Sequence, residues 1–148
     1  MAQHSEYKLS EYEETIRLVL DSGGEFTLFP KGTSMLPLIV QKRDSVTLVK
    51  AQGDLCRGDI AFYLRGNGQY VLHRVIKAQN GRYTMCGDNQ LTPETGIDNS
   101  HIIGKVCRIT RDGKDVTDRS PLYRLYKLAW RSFLLRRVYF RLRRLKNG

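Results

Sequence analysis

Apolar residues follow a helical spacing near both ends of this chain and a strand spacing between them. Near the N-terminus, Ile16, Val19 and Leu20 share one helical face behind Ser10-Glu11-Tyr12-Glu13, which reads as a capping box. Gly23-Gly24 stops the pattern, so the spacing predicts a helix over about 10–22. Short runs with strand character then occupy 25–29, 45–50, 60–64, 70–77, 82–85 and 102–109. Arg65-Gly66-Asn67-Gly68 marks a turn, and Asn80-Gly81 and Asp112-Gly113 are hairpin dipeptides. This succession predicts a mainly β fold, with a compact antiparallel body over about 25–118 inside one domain of residues 1–120. From Pro121 the pattern is helical again, giving a tail over 121–148.

The tail carries two apolar stripes that do not line up. Leu122, Leu125, Tyr126, Ala129, Trp130 and Phe133 fall on one face, with Arg124, Lys127 and Arg131 opposite. Further on, Leu134, Leu135, Val138, Tyr139, Leu142 and Leu145 cluster where the earlier cations pointed, and Arg136, Arg137, Arg141, Arg143 and Arg144 take the former apolar side. One straight helix cannot bury both stripes against one surface. The pattern predicts a break near 131–135, or different partners for the two halves.

Charge sharpens this division. Residues 121–148 hold nine Lys/Arg and no acid, whereas residues 1–120 hold sixteen Lys/Arg against fifteen Asp/Glu. Nine of the ten net positive charges therefore belong to the tail. Aromatic residues with Arg-rich flanks suit an anionic membrane surface, with Trp130, Phe133, Arg136, Arg137 and Arg141 as the contacts. Nine cations could also neutralise nucleic-acid phosphates, and a helix packed on the body with a solvated basic face is the plain structural reading. The membrane surface is the expectation carried forward, with no nucleic-acid partner.

At 148 residues the chain is long enough for one domain with a core and too short for two ordinary ones. Cys56, Cys86 and Cys107 are odd in number and lack C-x-x-C spacing, which argues against a disulfide framework and a cysteine zinc site and suits a reducing compartment. His4, His73 and His101 are too scattered for metal ligands, so neither metal nor cofactor is expected. Residues 1–14 are polar and acidic with no apolar core of a secretory signal. The longest apolar run, 35–40 around Pro37, falls far short of the ~20 residues of a spanning helix. These features predict a cytoplasmic protein, peripherally associated with a membrane through its tail.

Three short pieces carry chemistry. Gly32-Thr33-Ser34-Met35-Leu36-Pro37 is a turn between strands that would expose a serine hydroxyl and let backbone N–H groups approach an oxyanion, although such a serine is more often only a turn residue. His73-Arg74 lies inside a strand, where a lone histidine is more often structural. Gly87-Asp88-Asn89 follows a strand and by itself is a tight turn. Cys86 beside it reads as a small buried apolar residue rather than a redox-sensitive one.

Taken in order, Ser34-Met35-Leu36-Pro37, Arg57-Gly58-Asp59-Ile60, His73-Arg74-Val75 and Gly87-Asp88-Asn89 resemble the catalytic domain of type I signal peptidases over about 29–106. The resemblance implies the antiparallel β fold of the signal-peptidase and SOS-repressor cleavage domains. It implies Ser34 as nucleophile and His73 as general base, where the eubacterial enzymes carry lysine. That histidine marks the endoplasmic-reticulum, archaeal and sporulating-bacterial branch, and Asp88 matches its aspartate. Gly32 stands where relatives often have a serine that helps the oxyanion hole, leaving Thr33 as a substitute donor. Glu94 is the nearest equivalent of a second downstream acid, and the N-terminal membrane anchor usual in the family is not expected here. The implied function is a serine endopeptidase that cleaves a leader or signal-like peptide through a Ser34–His73–Asp88 acyl-enzyme mechanism. The rivals are a self-cleaving repressor-type domain, whose base is lysine, and an inactive binding module with a membrane- or nucleic-acid-binding basic helix.

Overall fold

The computed structural model describes residues 2–117 and 120–147, with side chains from residue 11 onward. The first helix, α1, spans Ala2–Asp21 and so begins well before the expected cap at Ser10. No Gly or Pro interrupts residues 2–22, and good helix formers carry the turn through that serine. Gly23, at φ 83°, ends the helix, and the Gly24 N–H returns to the Val19 carbonyl at 2.9 Å.

Among the described residues eight strands follow: β1 Phe26–Leu28, β2 Asp44–Val49, β3 Ile60–Leu64, β4 Tyr70–Gln79, β5 Arg82–Cys86, β6 Glu94–Asp98, β7 Ile102–Arg111 and β8 Lys114–Asp115. They form one antiparallel sheet in the order β1-β2-β7-β3-β4-β5-β6, with β8 paired to β7. The fold is thus mainly antiparallel β with helices at both ends, as the sequence pattern predicts. At both hairpin dipeptides the two central residues have positive φ (Asn80 50°, Gly81 68°; Asp112 51°, Gly113 75°), the requirement of a type I′ turn. Strand β6 escapes the pattern because only Ile97 of Glu94-Thr95-Gly96-Ile97-Asp98 is buried.

Side chains alternate between the faces of the sheet, and both faces are packed. Along β3, Ile60 and Phe62 join a cluster with Leu20, Met35, Ile39 and Leu48, while Ala61 and Tyr63 join Val75, Tyr83 and Met85. Burying each large apolar side chain contributes roughly 1.5–3 kcal/mol. Helix α1 seals the first cluster through Ile16 and Leu20. Gly104 of β7 permits that contact, since a Cβ there would stand 2.8 Å from Leu20 Cδ1.

Beyond the sheet, α2 spans Pro121–Trp130, with Ser120 as N-cap and Pro121 in its first turn. Helix α3 spans Phe133–Asn147. The break at Arg131-Ser132 lets the two halves turn different faces inward. Among the described residues, no helix is long and apolar enough to cross a membrane.

Candidate active site

Ser34 lies in the connection between β1 and β2, and three anchors fix that connection. Met35, Leu38 and Ile39 are buried in the core. At the far end, Asp44 accepts from the Val40 N–H at 2.9 Å, and Arg111 Nη2 donates to the Leu38 carbonyl at 2.7 Å. Burial opposes ionisation of Asp44, but the guanidiniums of Arg43 and Arg111 prevail and hold its pKa down to about 2. At the near end, the Asn89 N–H donates to the Ser34 carbonyl at 2.8 Å. A Cβ on Gly87 would lie 2.5 Å from that same oxygen, so only glycine lets the two loops meet.

His73 stands on β4 opposite Ala61 and is only 3% exposed. Tyr63 pairs with Val71, which makes it the diagonal neighbour of His73 on the same face. Its hydroxyl lies 3.2 Å from His73 Nδ1 and donates to Glu94 Oε1. Arg65 Nε holds the other Glu94 oxygen at 2.7 Å, and Glu94 Oε1 stands 4.0 Å from His73 Nδ1. Burial, with Arg65 nearby, pushes the His73 pKa down to about 4, against the opposing pull of Glu94 and Asp88.

Ser34 and His73 line one groove of about 450 Å³, together with Met35, Tyr70, Leu72 and Gln90. Along this groove, from Tyr70 to His73, β4 is paired with β3 alone, because β5 joins it only from Arg74. The family model for Peptidase S24-like proteins matches residues 2–107, which hold the serine turn, both strands and the groove. The chain belongs to the Peptidase S24-like family. No curated protein matches it. S24-like membership makes this a serine-peptidase-like or self-cleaving repressor-type domain.

The expected partnership of Asp88 with His73 is not what the S24-like body builds. Successive residues leave a strand on opposite faces, so Arg74 points away from the His73 side, and it is Arg74 that claims the carboxylate. Arg74 Nε and Nη2 each donate to Asp88 at 2.8 Å in a fully buried bidentate pair. Tyr126 of α2 adds a third bond to Asp88 Oδ2 at 2.8 Å. Arg74 Nη1 reaches the Gly58 carbonyl at 2.8 Å, so Arg57-Gly58-Asp59-Ile60 serves as the floor beneath that arginine. The acid beside His73 is Glu94.

Of the proposed oxyanion contributors, Gly32 sits at the groove with φ 90°, but its N–H is taken by Gln41 Oε1 at 2.9 Å. Thr33 is exposed and does not line the groove. Cys86 is buried, and that burial raises its thiol pKa, in keeping with the apolar reading.

The tail also departs from expectation. Trp130 is buried, donating from Nε1 to the Asp88 carbonyl at 2.9 Å and stacking on Tyr126. Arg136 is fully buried, with Nη1 donating to the Gly87 carbonyl at 2.8 Å and Nε to the Trp130 carbonyl at 2.8 Å. Phe133 is half-buried beneath the Arg136 guanidinium. Trp130 and Arg136 are thus turned inward onto the Gly87–Gln90 loop, and Phe133 packs on the Arg136 guanidinium. Arg137 and Arg141 are exposed.

The motifs gave no role to Tyr63, Arg65 or Arg74. The turn at 65–68 fixes the register of β3 on β4, so the diagonal placing of Tyr63 against His73 follows from strand alternation. Tyr126, Trp130 and Arg136 lie beyond the family match, which ends at Cys107.

Proposed function

We propose that this chain is a serine endopeptidase of the Ser-His signal-peptidase type that cleaves an extended leader or signal-like segment of another polypeptide. The observation that carries the reading is the shared groove, lined by both Ser34 and a buried histidine whose ring orientation is fixed from behind. The Tyr63 hydroxyl has one proton and gives it to Glu94, so towards His73 it accepts. Nδ1 therefore carries the imidazole proton, and Nε2 keeps the lone pair that can act on Ser34.

The reaction follows from that tautomer. Nε2 takes the Ser34 proton as Oγ attacks the scissile carbonyl, and the imidazolium then protonates the departing amine. Water, deprotonated by the same nitrogen, releases the acyl group from Ser34. The low pKa of His73 keeps it in the base form at neutral pH. Glu94, held by Arg65, stabilises the transient imidazolium through Tyr63. The unpaired edge of β4 at Tyr70–His73 suits an extended substrate that adds a strand there, and Met35, Tyr70 and Leu72 give its side chains apolar ground.

The test is labelling by a serine-directed acylating probe, together with cleavage of leader peptides followed by mass spectrometry. The native protein should label at Ser34 and cut peptides in trans, and Ser34→Ala should do neither. A labelled protein that cuts only itself, at a rate independent of dilution, would replace this reading with the self-cleaving one. An unlabelled protein would leave a binding module.

A further inference from the structure

Helix α3 packs on the body with one face and leaves an ordered apolar stripe on the other. Leu134, Leu135, Val138, Leu142 and Leu145 are 71%, 50%, 47%, 61% and 75% exposed. At 3.6 residues per turn these five fall within about 100° of arc. Arg136, buried against Gly87 and Trp130, lies about 150° round the helix from the middle of that stripe. The stripe therefore faces away from the protein.

Charge decides what can cover it. Arg141 and Lys146, both exposed, stand at the two edges of the stripe, and the whole of 121–148 lacks an acid. A second copy laid stripe to stripe would bring these like-charged edges together with no carboxylate between them. A nucleic acid would satisfy the cations and leave five apolar side chains against water or phosphate. A bilayer with anionic headgroups accepts both, taking the leucines below the headgroups and the guanidiniums among them. We propose that α3 docks flat on an anionic membrane surface through Leu134, Leu135, Val138, Leu142 and Leu145, with Arg141 and Lys146 at the headgroups. Since Arg136 ties the same helix to the Gly87 and Gln90 carbonyls, and Gln90 lines the groove, docking holds the Ser34 groove at a fixed place beside the bilayer.

Co-sedimentation of the whole chain with phosphatidylcholine vesicles, with and without a quarter phosphatidylglycerol, tests this. The native protein should bind the anionic vesicles and leave the neutral ones largely unbound. A Leu134→Ser, Leu142→Ser, Leu145→Ser variant should lose about tenfold or more of that binding. The exposed positions predict an unchanged fold, read from the emission of buried Trp130, the single tryptophan. Arg141→Gln with Lys146→Gln should weaken binding at low salt only. Leu142→Trp gives an independent reading, because its emission should shift to the blue on anionic vesicles. Binding unaffected by the serine variant, no emission shift, or a dimer that the serine variant dissolves would each overturn the proposal. Ser34→Ala should bind vesicles as the native protein does, so a failed peptidase assignment and a failed membrane assignment are told apart.

Discussion

The Tyr63 hydroxyl bridges His73 and Glu94, accepting at 3.2 Å from the imidazole Nδ1 while donating its own proton to the carboxylate. Tyr63 is fully buried, so water cannot stand in for it. Replacing it by Phe keeps the ring and deletes the acceptor. We expect Tyr63→Phe to lower kcat by about 10–100-fold with little change in KM, because the imidazole loses its tautomer preference while the groove is kept. Steady-state kinetics on a soluble leader peptide measures this. An equal rise in KM would assign Tyr63 to substrate binding instead.

The two acids should separate by the kind of damage they cause. Glu94→Gln removes the charge behind Tyr63 and should cost turnover, with a small loss of stability, since Glu94 is partly exposed. Asp88→Asn strands the buried Arg74 cation, and breaking one partner of such a pair costs about 3–5 kcal/mol. Its unfolding midpoint should fall steeply, while the folded fraction, counted by active-site labelling, should cleave at close to the native rate. The opposite ranking, a stable Asp88→Asn with kcat lost, would return the acidic role to Asp88.

With the His73 pKa near 4, kcat/KM should rise through about pH 4 and be level from about pH 6 to 8. A midpoint near 6.5 would mean a solvated imidazole. The same shift acts on stability. Between about pH 6.5 and 4 the unfolded chain binds a proton that the folded chain refuses, so stability is complete above the unfolded pKa and declines by about 3 kcal/mol as pH falls through that window. Protonation of Asp44, held down to about 2, adds a further loss below the ordinary carboxylate range. Trp130 emission recorded beside the rates separates unfolding from loss of the base.

How far the sequence could be read depended on distance along the chain. The strands and their turns were legible because alternation and Asn-Gly or Asp-Gly dipeptides are local signals. Ser34 and His73 were picked out by short motifs, and the structure places both on one groove. Asp88 was expected beside His73 and pairs with Arg74 instead, because its motif names the residue and not the face from which a partner comes. Arg74 adjoins His73 in sequence and points the other way. Trp130 and Arg136 resemble membrane anchors by composition, and their burial depends on carbonyls at Gly87, Gln90 and Asp88, more than forty residues upstream. Pattern alone gives no register between a tail helix and a loop that far away.

Those long contacts make the tail part of the site. Arg136 is held by the Gly87, Gln90 and Trp130 carbonyls at 2.8, 3.2 and 2.8 Å, and its Nη2 stands 3.6 Å from Asp88 Oδ1. Ending the chain after Ser132 takes the Arg136 donors from three carbonyls and removes Tyr139 from the edge of Trp130. The loop so loosened is the one whose Asn89 N–H holds the Ser34 carbonyl. The truncated protein should therefore be less stable by about 3–5 kcal/mol and cleave more slowly even where it remains folded. Arg136→Met in the full chain should reproduce most of both effects, since it removes the donors and keeps much of the packing. Arg137→Gln, one residue on and exposed, should change stability by less than about 0.5 kcal/mol. Urea unfolding and peptide cleavage on the three proteins decide the matter. If Arg136→Met unfolds and cleaves like the native protein while the truncation does not, the other contacts of α3, such as Tyr139 on Trp130, hold the loop and the buried guanidinium is dispensable.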